Sequence, residues 1–295
     1  MQRVEQEINR MIQEVDYDEV TNLFNKLSGG KRLRAKLILK IALQHPKAPL
    51  LAAIVELIHA ASLLHDDVID DAMTRRGVAS VNATDGSKVA VMLGDILYSK
   101  AFTELVEFDK EVAQIISASV TALSKGEMLD VALAKTFNTD EKKYLDMLYL
   151  KTATLIEAAA SAAATLAGKD AQKYALYGRN LGLSFQIIDD ILDIVSDEAT
   201  LGKPAMNDFV EGKATLPYIY LYEVLDEDGR KKLESLHGKK ATKEEMLWLK
   251  EQFEKYKTIE KSFEVAKKLS FEAQDALKEE PELVAILETM LQRSY

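Results

Sequence analysis

Apolar residues recur along most of this 295-residue chain with the 3.6-residue period of an α-helix. In the segment 1–15, Val4, Ile8, Met11, Ile12 and Val15 fall on one stripe. The same period predicts helices over residues 31–44, 49–72, 88–105, 112–125, 127–136, 140–167 and 171–195, and two or three amphipathic helices over 243–291. No segment alternates in the manner of a β-strand, and we find no fixed-period repeat or linker. We therefore predict one all-α domain over residues 1–295.

Burial and loops follow from the same pattern. The helix over 49–72 is apolar nearly all round until its acidic end, which indicates a buried helix. Ala, Ser and Gly are dense between 153 and 168, so neighbouring helices can approach closely there. Residues 74–87 and 196–214 have loop composition. The expected loops therefore follow the acidic ends of two long helices.

The composition excludes several classes of function. A formal charge of −10, from 48 acidic and 38 basic residues, argues against nucleic acid as the main partner. The chain has no cysteine, which excludes disulfides, thiolate nucleophiles and Cys-ligated metals. No apolar run approaches the roughly 20 residues of a membrane span, and the N-terminal segment lacks the apolar core of a signal peptide. We expect a cytoplasmic enzyme or binding protein with no membrane span.

Two acidic clusters with the same D-D-x-x-D spacing end two of the apolar helices. The first consists of Asp66, Asp67 and Asp70, and the second of Asp189, Asp190 and Asp193. In each cluster the first and last aspartates lie one turn apart on one helix face. Their charges repel, and carboxylates on buried helices need a paired cation or a metal ion. One such cluster is commonly a solvated helix end, whereas two copies indicate a functional site.

Carboxylate ligands from two helices favour magnesium, which binds one or two carboxylates together with water and substrate phosphates. A di-iron site would need Glu-x-x-His spacing on two helices, and only Glu56 and His59 provide it. Zinc has little support, because the chain has neither cysteine nor a paired histidine motif. Magnesium therefore implies a phosphorylated ligand and basic residues to bind it.

Basic residues accompany both clusters. They are Lys31, Arg32 and Arg34 at an expected helix start, Arg75 and Arg76 after the first cluster, and Lys151, Lys203 and Lys213 in apolar or loop contexts. Backbone N–H groups at a helix start also favour anions. Each residue alone is an ordinary surface charge, but together with two acidic clusters they indicate a diphosphate site.

A series of motifs between residues 29 and 217 resembles a known family. The motifs are "GGKRLR", "ELIHAASLLHDDVIDDAMTRRG", "GD" at Gly94–Asp95, "LKTATL", "FQIIDDILD" and "LGKP…EGKATLP". In this order they resemble the trans-polyprenyl (isoprenyl) diphosphate synthases, whose isoprenoid-synthase fold is a helical bundle around a large central cavity. The chain departs from the family at Ala35, where many members have Pro, and at Met206, where many have Gly. Neither change removes a ligand.

The resemblance implies a prenyltransferase that condenses isopentenyl diphosphate with an allylic diphosphate, using Mg²⁺ or, in its place, Mn²⁺. It implies that Asp66, Asp70, Asp189 and Asp190 bind the metal, with Asp67 and Asp193 completing the catalytic clusters. Lys31, Arg34, His59 and Arg76 would hold isopentenyl diphosphate. Arg75, Lys151, Thr152, Gln186, Lys203 and Lys213 would hold the allylic diphosphate, with Lys151 and Lys203 also catalytic. Without the motifs, His59 would be interpreted as a core histidine and Gln186 as a buried amide.

The family reaction explains why these residue types are needed. Loss of pyrophosphate from the allylic substrate gives an allylic cation, which the double bond of isopentenyl diphosphate attacks. Metal ions and basic side chains stabilise the leaving group, and a water-free cavity protects the cation. The family model assigns the final proton to the departing pyrophosphate. No protein nucleophile is required, which agrees with the absence of cysteine.

Small residues before the first cluster predict a long product. Ala61 and Ser62 lie one turn before Asp66, where short-chain relatives carry bulky aromatics. The rest of the predicted tunnel consists of Ile58, Val55 and Ala52, and of Met128 and Ala132 on a later helix. Ordinary core packing is the alternative interpretation of all seven. We expect farnesyl diphosphate as primer and a lipophilic product near octaprenyl diphosphate.

Three other functions remain open. A cyclising terpene synthase usually carries an N/D-x-x-S/T-x-x-x-E second motif, whereas Asp193 occupies its middle position here. A non-catalytic subunit typically loses an aspartate cluster, and a magnesium-dependent phosphatase would not explain the apolar run behind the carboxylates. The family is usually dimeric, so we expect a homodimer, with the helix over 88–105 as a candidate interface.

Overall fold

The computed structural model of the protein describes residues 1–27, 30–195 and 206–291. The chain divides into two compact units. Unit 1 comprises Met1–Leu123 and Leu155–Gly178, and unit 2 comprises Ser124–Thr154 and Arg179–Tyr295. Within the described residues the structure is helical apart from one short hairpin, so the predicted all-α class is confirmed. The single domain remains a prediction.

Unit 1 is built around one long apolar helix. Its elements begin with α1 (Gln2–Gln13), α2 (Asp18–Lys26), α3 (Leu33–Ile41), α4 (Ala48–Ile69), β1 (Thr74–Arg75), β2 (Val78–Ala79), α5 (Val81–Asp85) and α6 (Ser87–Leu105). Helix α4 packs against α1, α3 and α6. Its residues Leu51, Ile54 and Val55 are fully buried, as the apolar run predicts. This packing fixes the helix that carries the first acidic cluster.

Helix α4 also bears on the membrane prediction. It has 22 residues and a mean hydropathy of 1.6, so by length and composition it is the one described helix that could cross a membrane. This differs from the expectation that no apolar run approaches that length. However, 67% of its apolar window is buried inside the chain, as in a core helix.

The helices in the middle of the chain differ from the predicted ones in where they begin and end. They are α7 (Lys110–Leu133), α8 (Glu141–Leu148), a π-helical turn (Tyr149–Ala153), α9 (Thr154–Leu166) and α10 (Ala171–Val195). The separate helices predicted over 112–125 and 127–136 are wrong, because α7 continues through Gly126. The predicted helix over 140–167 is interrupted by the π-helical turn, in which the backbone widens by one residue.

The small residues of the Ala-rich segment allow close helix packing in unit 1. A Cβ added to Gly178 of α10 would lie 2.7 Å from the Ile156 carbonyl oxygen and 2.8 Å from the Glu157 Cα. Such distances are shorter than normal contacts, so only glycine fits. The predicted close approach of helices at this segment is therefore confirmed.

The C-terminal helices of unit 2 enclose an aromatic core. They are α11 (Asn207–Val210), α12 (Leu216–Val224), α13 (Glu227–Leu236), α14 (Lys243–Tyr256), α15 (Thr258–Ala276) and α16 (Pro281–Leu291). Phe209 stacks on Tyr218 with ring centroids 4.1 Å apart, and Phe253 meets Tyr218 edge-on at 5.0 Å. Ile194 joins this core. The acidic end of α10 is therefore anchored by the residue that follows Asp193.

Part of the predicted loop over 74–87 is ordered. Thr74 pairs with Ala79 and Arg75 with Val78 in an antiparallel hairpin. Its two turn residues, Arg76 and Gly77, both have positive φ (54° and 76°), as in a type I′ turn. Helix α5 follows directly. The loop prediction was wrong here because a two-residue strand is too short to show alternation.

Candidate active site

The first acidic cluster lies where α4 ends. Asp70 is the C-cap residue, and its N–H donates to the carbonyl of Asp66 (2.8 Å). Asp71 follows with φ of 48°, a left-handed conformation that does not continue the helix. Asp66 is partly exposed and Asp70 is exposed. Two carboxylates one turn apart are therefore accessible to a ligand.

Asp67, which lies between Asp66 and Asp70 in the sequence, is bound by two other side chains of the protein. The Arg75 guanidinium donates to Asp67 Oδ1 from Nε (2.7 Å) and Nη2 (2.5 Å). The carbonyl of Asp67 accepts from the Asn82 amide (3.1 Å). Asp67 is 4% exposed. Asp67 thus links α4 to the hairpin through its ion pair with Arg75. The same ion pair engages the Arg75 guanidinium.

The Gly94–Asp95 motif has a local explanation in α6. His65, the residue before the first cluster, has its Nε2 3.3 Å from the Val91 carbonyl oxygen and 3.4 Å from Asp95 Oδ1. A Cβ added to Gly94 would lie 2.4 Å from that same nitrogen. Glycine therefore leaves room for the imidazole, and the contact holds the last turns of α4 against α6.

A cationic group formed by Arg34, His59 and Arg76 lies elsewhere in unit 1. The charges of Arg34 and Arg76, together with burial, hold the pKa of His59 well below its ordinary value of 6.5, burial being the larger cause. Burial also lowers the pKa of Arg34 to about 10, against the opposing charge of Glu56. Arg34 Nε is shielded from solvent and has no hydrogen-bond partner among the described residues. A Cβ on Gly30 would lie 2.6 Å from Arg76 Nη1. The group can therefore bind an anion with a neutral imidazole beside it.

The start of α3 differs from the expected anion site. Arg32 is the N-cap residue with φ of 52°, and its guanidinium pairs with Glu56 (3.2 Å) and Glu5 (3.1 Å). The N–H of Ala35 in the first turn donates to Glu56 Oε1 (3.0 Å). That backbone donor and Arg32 are thus engaged with a buried glutamate of α4. Lys31 is exposed.

The second acidic cluster has a different arrangement. Asp189 is exposed, whereas Asp190 and Asp193 are 4% and 2% exposed. Asp193 Oδ2 accepts from the backbone N–H of Asp208 (3.1 Å), and its carbonyl accepts from the N–H of Met206 (2.7 Å). Met206 has φ of 59° at the position where many family members have Gly. Asp193 therefore holds the backbone at Met206 and Asp208 by two hydrogen bonds.

Asp190 is enclosed by hydrogen bonds. The Tyr144 hydroxyl donates to Oδ2 (2.5 Å) and the Gln186 amide donates to Oδ1 (2.9 Å). Burial, and then the charge of Asp208, raise the pKa of Asp190 well above its ordinary value. These hydrogen bonds connect Asp190 to α8 and to Gln186, and its role as a magnesium ligand stays a prediction.

Lys151 of the π-helical turn is held by two carboxylates of α7. Its Nζ lies 2.6 Å from Asp130 Oδ2 and 2.8 Å from Glu127 Oε2. The next residue, Thr152, donates from its hydroxyl to Gln186 Oε1 (3.2 Å). Lys151, Thr152 and Gln186, predicted together from the sequence, therefore lie in one hydrogen-bonded part of unit 2.

The two other predicted cations are Lys203 and Lys213. Lys213 Nζ pairs with Glu211 Oε2 at 2.7 Å. Lys203 lies outside the described residues. The structure therefore gives a local partner for Lys213 and no account of Lys203.

The predicted tunnel residues fall into two groups. Ala52, Val55, Ile58 and Ala61 of α4 have 0% exposure. Ser62 is partly buried and donates to the carbonyl of His59 (2.9 Å). Full burial is also what core packing produces, so the tunnel remains a prediction for these residues.

Met128 and Ala132 of the predicted tunnel lie on an exposed part of α7. Met128 is 74% exposed, and Ala132 is exposed as well. The face of α7 that meets Lys151 carries Glu127 and Asp130. The place of Met128 and Ala132 in the tunnel stays a prediction.

Magnesium fits the donors of the first cluster. In the part of the chain that the structure describes, no three Asp, Glu, His or Cys side chains form a metal site by themselves. Asp66 and Asp70 of unit 1 supply two hard oxygen donors one turn apart. Magnesium commonly takes one or two carboxylates and completes its shell with water and phosphate oxygens. The donor set therefore suits a metal that binds together with a phosphorylated ligand.

The sequence prediction missed several residues of these networks. Tyr144, Glu127 and Asp130 contact predicted site residues, yet none was singled out. The spacing of Glu127 and Asp130, three residues apart on a helix, was a usable signal for a shared face. Tyr144 gave none, since its partner is 46 residues away.

The geometry defines a helical protein with paired acidic clusters and a cationic group for anions, and comparison with known proteins gives its family. The polyprenyl synthetase family model matches residues 17–255. The chain therefore belongs to the polyprenyl synthetase family and is a prenyltransferase. The resemblance seen in the motifs is confirmed.

Individual relatives carry names with different product lengths. The chain is 40% identical over 223 residues to the short chain isoprenyl diphosphate synthase of Methanothermobacter thermautotrophicus, covering 72% of this chain and 69% of the relative. It is 35% identical over 278 residues to the geranylgeranyl diphosphate synthase of Sulfolobus acidocaldarius, covering 88% and 83%. It superposes on octaprenyl pyrophosphate synthase from Helicobacter pylori with a TM-score of 0.92 and 44% identity, covering 99% and 96%. These similarities identify the reaction class and leave the product length open.

Proposed function

We propose that the protein is a magnesium-dependent synthase that extends farnesyl diphosphate with isopentenyl diphosphate to a product near octaprenyl diphosphate. The observation that carries the proposal is the cationic group of Arg34, His59 and Arg76, which suits a diphosphate, in a chain that also holds accessible carboxylates at Asp66 and Asp70. A cyclase or a phosphatase acting on one diphosphate would need a single set of cations.

Unit 1 is proposed to bind isopentenyl diphosphate. Arg34 and Arg76 offer guanidinium N–H groups to its oxygens, and Lys31 adds an exposed ammonium. His59 is neutral, because its pKa is lowered, so it can donate one N–H without adding charge. This arrangement binds the diphosphate group while leaving the butenyl end of the substrate to react.

Unit 2 is proposed to bind the allylic diphosphate. Lys151, Thr152 and Gln186 form the described part of this set, and Lys203 and Lys213 complete it. Lys151 stabilises the negative charge that collects on the leaving diphosphate. Arg75 is also proposed to bind this substrate, and its ion pair with Asp67 sets the position of its guanidinium group.

Magnesium, for which Asp66 and Asp70 of unit 1 and Asp189 and Asp190 of unit 2 are the proposed ligands, would supply Lewis-acid stabilisation of the leaving diphosphate. The chemistry at carbon then needs no protein nucleophile. The C–O bond of the allylic diphosphate breaks, the double bond of isopentenyl diphosphate forms the new C–C bond, and a proton leaves to the departing pyrophosphate. The role of the surrounding chain is to orient both substrates and exclude water.

Product length is proposed to depend on the small residues Ala61 and Ser62. Each lies about one turn before Asp66 on α4, and each turn of helix toward Ala52 adds about 5.4 Å of depth. The octaprenyl name of the Helicobacter pylori structure supports this length. The chain is also proposed to act in the cytoplasm and as a homodimer.

Condensation and product length are tested in one assay. The pure protein is incubated with labelled isopentenyl diphosphate, farnesyl diphosphate and magnesium, and the products are resolved by chain length. A ladder that ends beyond geranylgeranyl, and is absent with EDTA, supports the proposal. Pyrophosphate release from farnesyl diphosphate alone, without condensation, would instead assign a cyclase or hydrolase.

The tunnel is tested by Ala61→Phe, which should shorten the product because the ring would block the chain. Ser62→Phe tests the same face at a less buried position. Ala90→Phe is the matched control, since Ala90 of α6 has the same 0% exposure but lies outside the predicted tunnel. An unchanged product ladder in both tunnel variants, with folding intact by circular dichroism, would reject this assignment.

A further inference from the structure

Lys151 pairs with two carboxylates, although one carboxylate is enough to neutralise its ammonium group. Asp130 contacts Lys151 Nζ at 2.6 Å and Glu127 contacts it at 2.8 Å. The side chains of Asp130, Glu127 and Lys151 are 7%, 13% and 20% exposed, so water screens them only in part. Together the two carboxylates and the Lys151 ammonium therefore carry a net charge of one negative unit, although Lys151 is the residue proposed to bind an anion.

The backbone fixes this contact. A Cβ added to Gly126 would lie 2.3 Å from the backbone nitrogen of Lys151, so α7 and the π-helical turn touch at their main chains. Glu127 follows Gly126 directly, and Asp130 lies almost one turn further along α7. A π-helical turn is a costly conformation that is frequent at functional sites. Lys151 is thus presented to both carboxylates by rigid elements rather than by a loop.

The carboxylates of Glu127 and Asp130 differ in their hydrogen bonding. Glu127 Oε1 is buried and has no hydrogen-bond partner among the described residues. A buried carboxylate oxygen without a partner is unfavourable. Asp130 alone would neutralise Lys151, so the second carboxylate is not explained by stability.

We propose that Asp130 positions Lys151 and that Glu127 weakens the grip of Lys151 on diphosphate, so that pyrophosphate leaves after each extension. The inference rests on the proposed function, in which Lys151 binds the allylic diphosphate. Every extension releases one pyrophosphate, and the next allylic diphosphate must take its place. Glu127 competes with pyrophosphate for the Lys151 ammonium group and so raises the rate of that release.

The test measures inorganic pyrophosphate binding by isothermal titration calorimetry in the presence of magnesium. Glu127→Gln keeps the shape of the side chain and removes its charge. We expect pyrophosphate to bind about three- to tenfold more tightly, the effect of removing one partly screened ion pair that competes for Lys151. Multiple-turnover assays should show a lower kcat and stronger product inhibition by pyrophosphate.

Two further variants separate this role from a structural one. Glu223→Gln is the matched control, because Glu223 also pairs with a lysine of unit 2 (Lys261, 3.2 Å) and is not part of the proposed site. In the Lys151→Met background, Glu127→Gln should no longer tighten pyrophosphate binding. A loss of structure would lower affinity in both backgrounds.

Three results would overturn the inference. They are unchanged or weaker pyrophosphate binding by Glu127→Gln, tightening that persists without Lys151, and pyrophosphate binding that Lys151→Met leaves intact. None of these depends on condensation, which the wild-type assay measures separately. A protein that condenses its substrates yet gives one of these results retains the proposed function and loses only the role of Glu127.

Discussion

The two acidic clusters share one spacing but differ in which carboxylate is accessible. In the first, the outer residues Asp66 and Asp70 are accessible and the middle residue, Asp67, is bound to Arg75. In the second, Asp189 alone is exposed, and the other two are buried under hydrogen bonds. The same sequence pattern therefore supplies two accessible carboxylates in unit 1 and one in unit 2.

This difference arises from the partners of each cluster. The first is bordered by an arginine eight residues further on, in a hairpin that folds back on the helix end. The second is bordered by a tyrosine, an amide and a backbone N–H from three separate segments. Spacing decides which aspartates share a helix face, and distant partners decide which of them is available to a metal.

The largest effect is expected from Asp189→Asn compared with Asp190→Asn. Asp189→Asn removes an accessible ligand and should lower condensation on the order of 10²- to 10³-fold. Asp190→Asn replaces a buried carboxyl group that already accepts hydrogen bonds from Tyr144 and Gln186, so we expect it to lower condensation less than about tenfold, the worth of one hydrogen bond. Steady-state rates over a range of magnesium concentrations measure both.

A matched control and a contrary outcome sharpen this prediction. Asp146→Asn changes an exposed carboxylate of α8 paired with Lys142 and should leave the rate unchanged. If Asp190→Asn were as damaging as Asp189→Asn, and its magnesium requirement rose equally, Asp190 would be a ligand as the sequence first predicted. The exposure of an aspartate in the second cluster would then not decide whether it binds magnesium.

An intermediate effect is expected from Arg75→Ala, which acts on the first cluster alone. Asp67 would remain buried without its cation, and the free energy of unfolding should fall by about 2 kcal/mol, less than for a fully buried pair because Arg75 is 33% exposed. Urea denaturation measures the change. Asp67→Asn should restore part of the lost stability in the Arg75→Ala background. No restoration would mean that the loss comes from packing rather than charge.

The smallest effect concerns pH and His59. The pKa of His59 is lowered in the folded protein, so below pH 6.5 the unfolded chain binds a proton that the folded chain does not. The free energy of unfolding should therefore be highest above pH 6.5 and fall below it, by at most about 1.4 kcal/mol per pH unit. Melting temperatures of wild type and His59→Gln across this range measure the difference. Parallel curves for the two proteins would contradict the prediction.

The sequence predicted well the two apolar helices that end in the acidic clusters, α4 and α10. Helix α10 spans the predicted residues 171–195, because period and capping are local properties. It also predicted that Lys151, Thr152 and Gln186 act together, through the family resemblance. These features depend on neighbours in the chain or on the order of motifs.

The phase of α7 could not be predicted in the same way. Apolar residues such as Met128 suggested one buried face, yet the buried face carries Glu127 and Asp130. Charged residues are buried there because Lys151, more than twenty residues later, neutralises them in part. A pattern of apolar positions contains no information about such a partner. The same reason hid the bond between Tyr144 and Asp190.

Arg76, which is proposed to bind isopentenyl diphosphate, also affects how the protein would respond to selection. It adopts a left-handed φ of 54° in the hairpin turn, where a residue other than glycine or asparagine costs about 1 kcal/mol, and its guanidinium lies against Gly30. A library screened for heat resistance alone would therefore enrich glycine or asparagine at position 76 and discard the cation. A screen that also required product would retain arginine, so the two screens would diverge at this position.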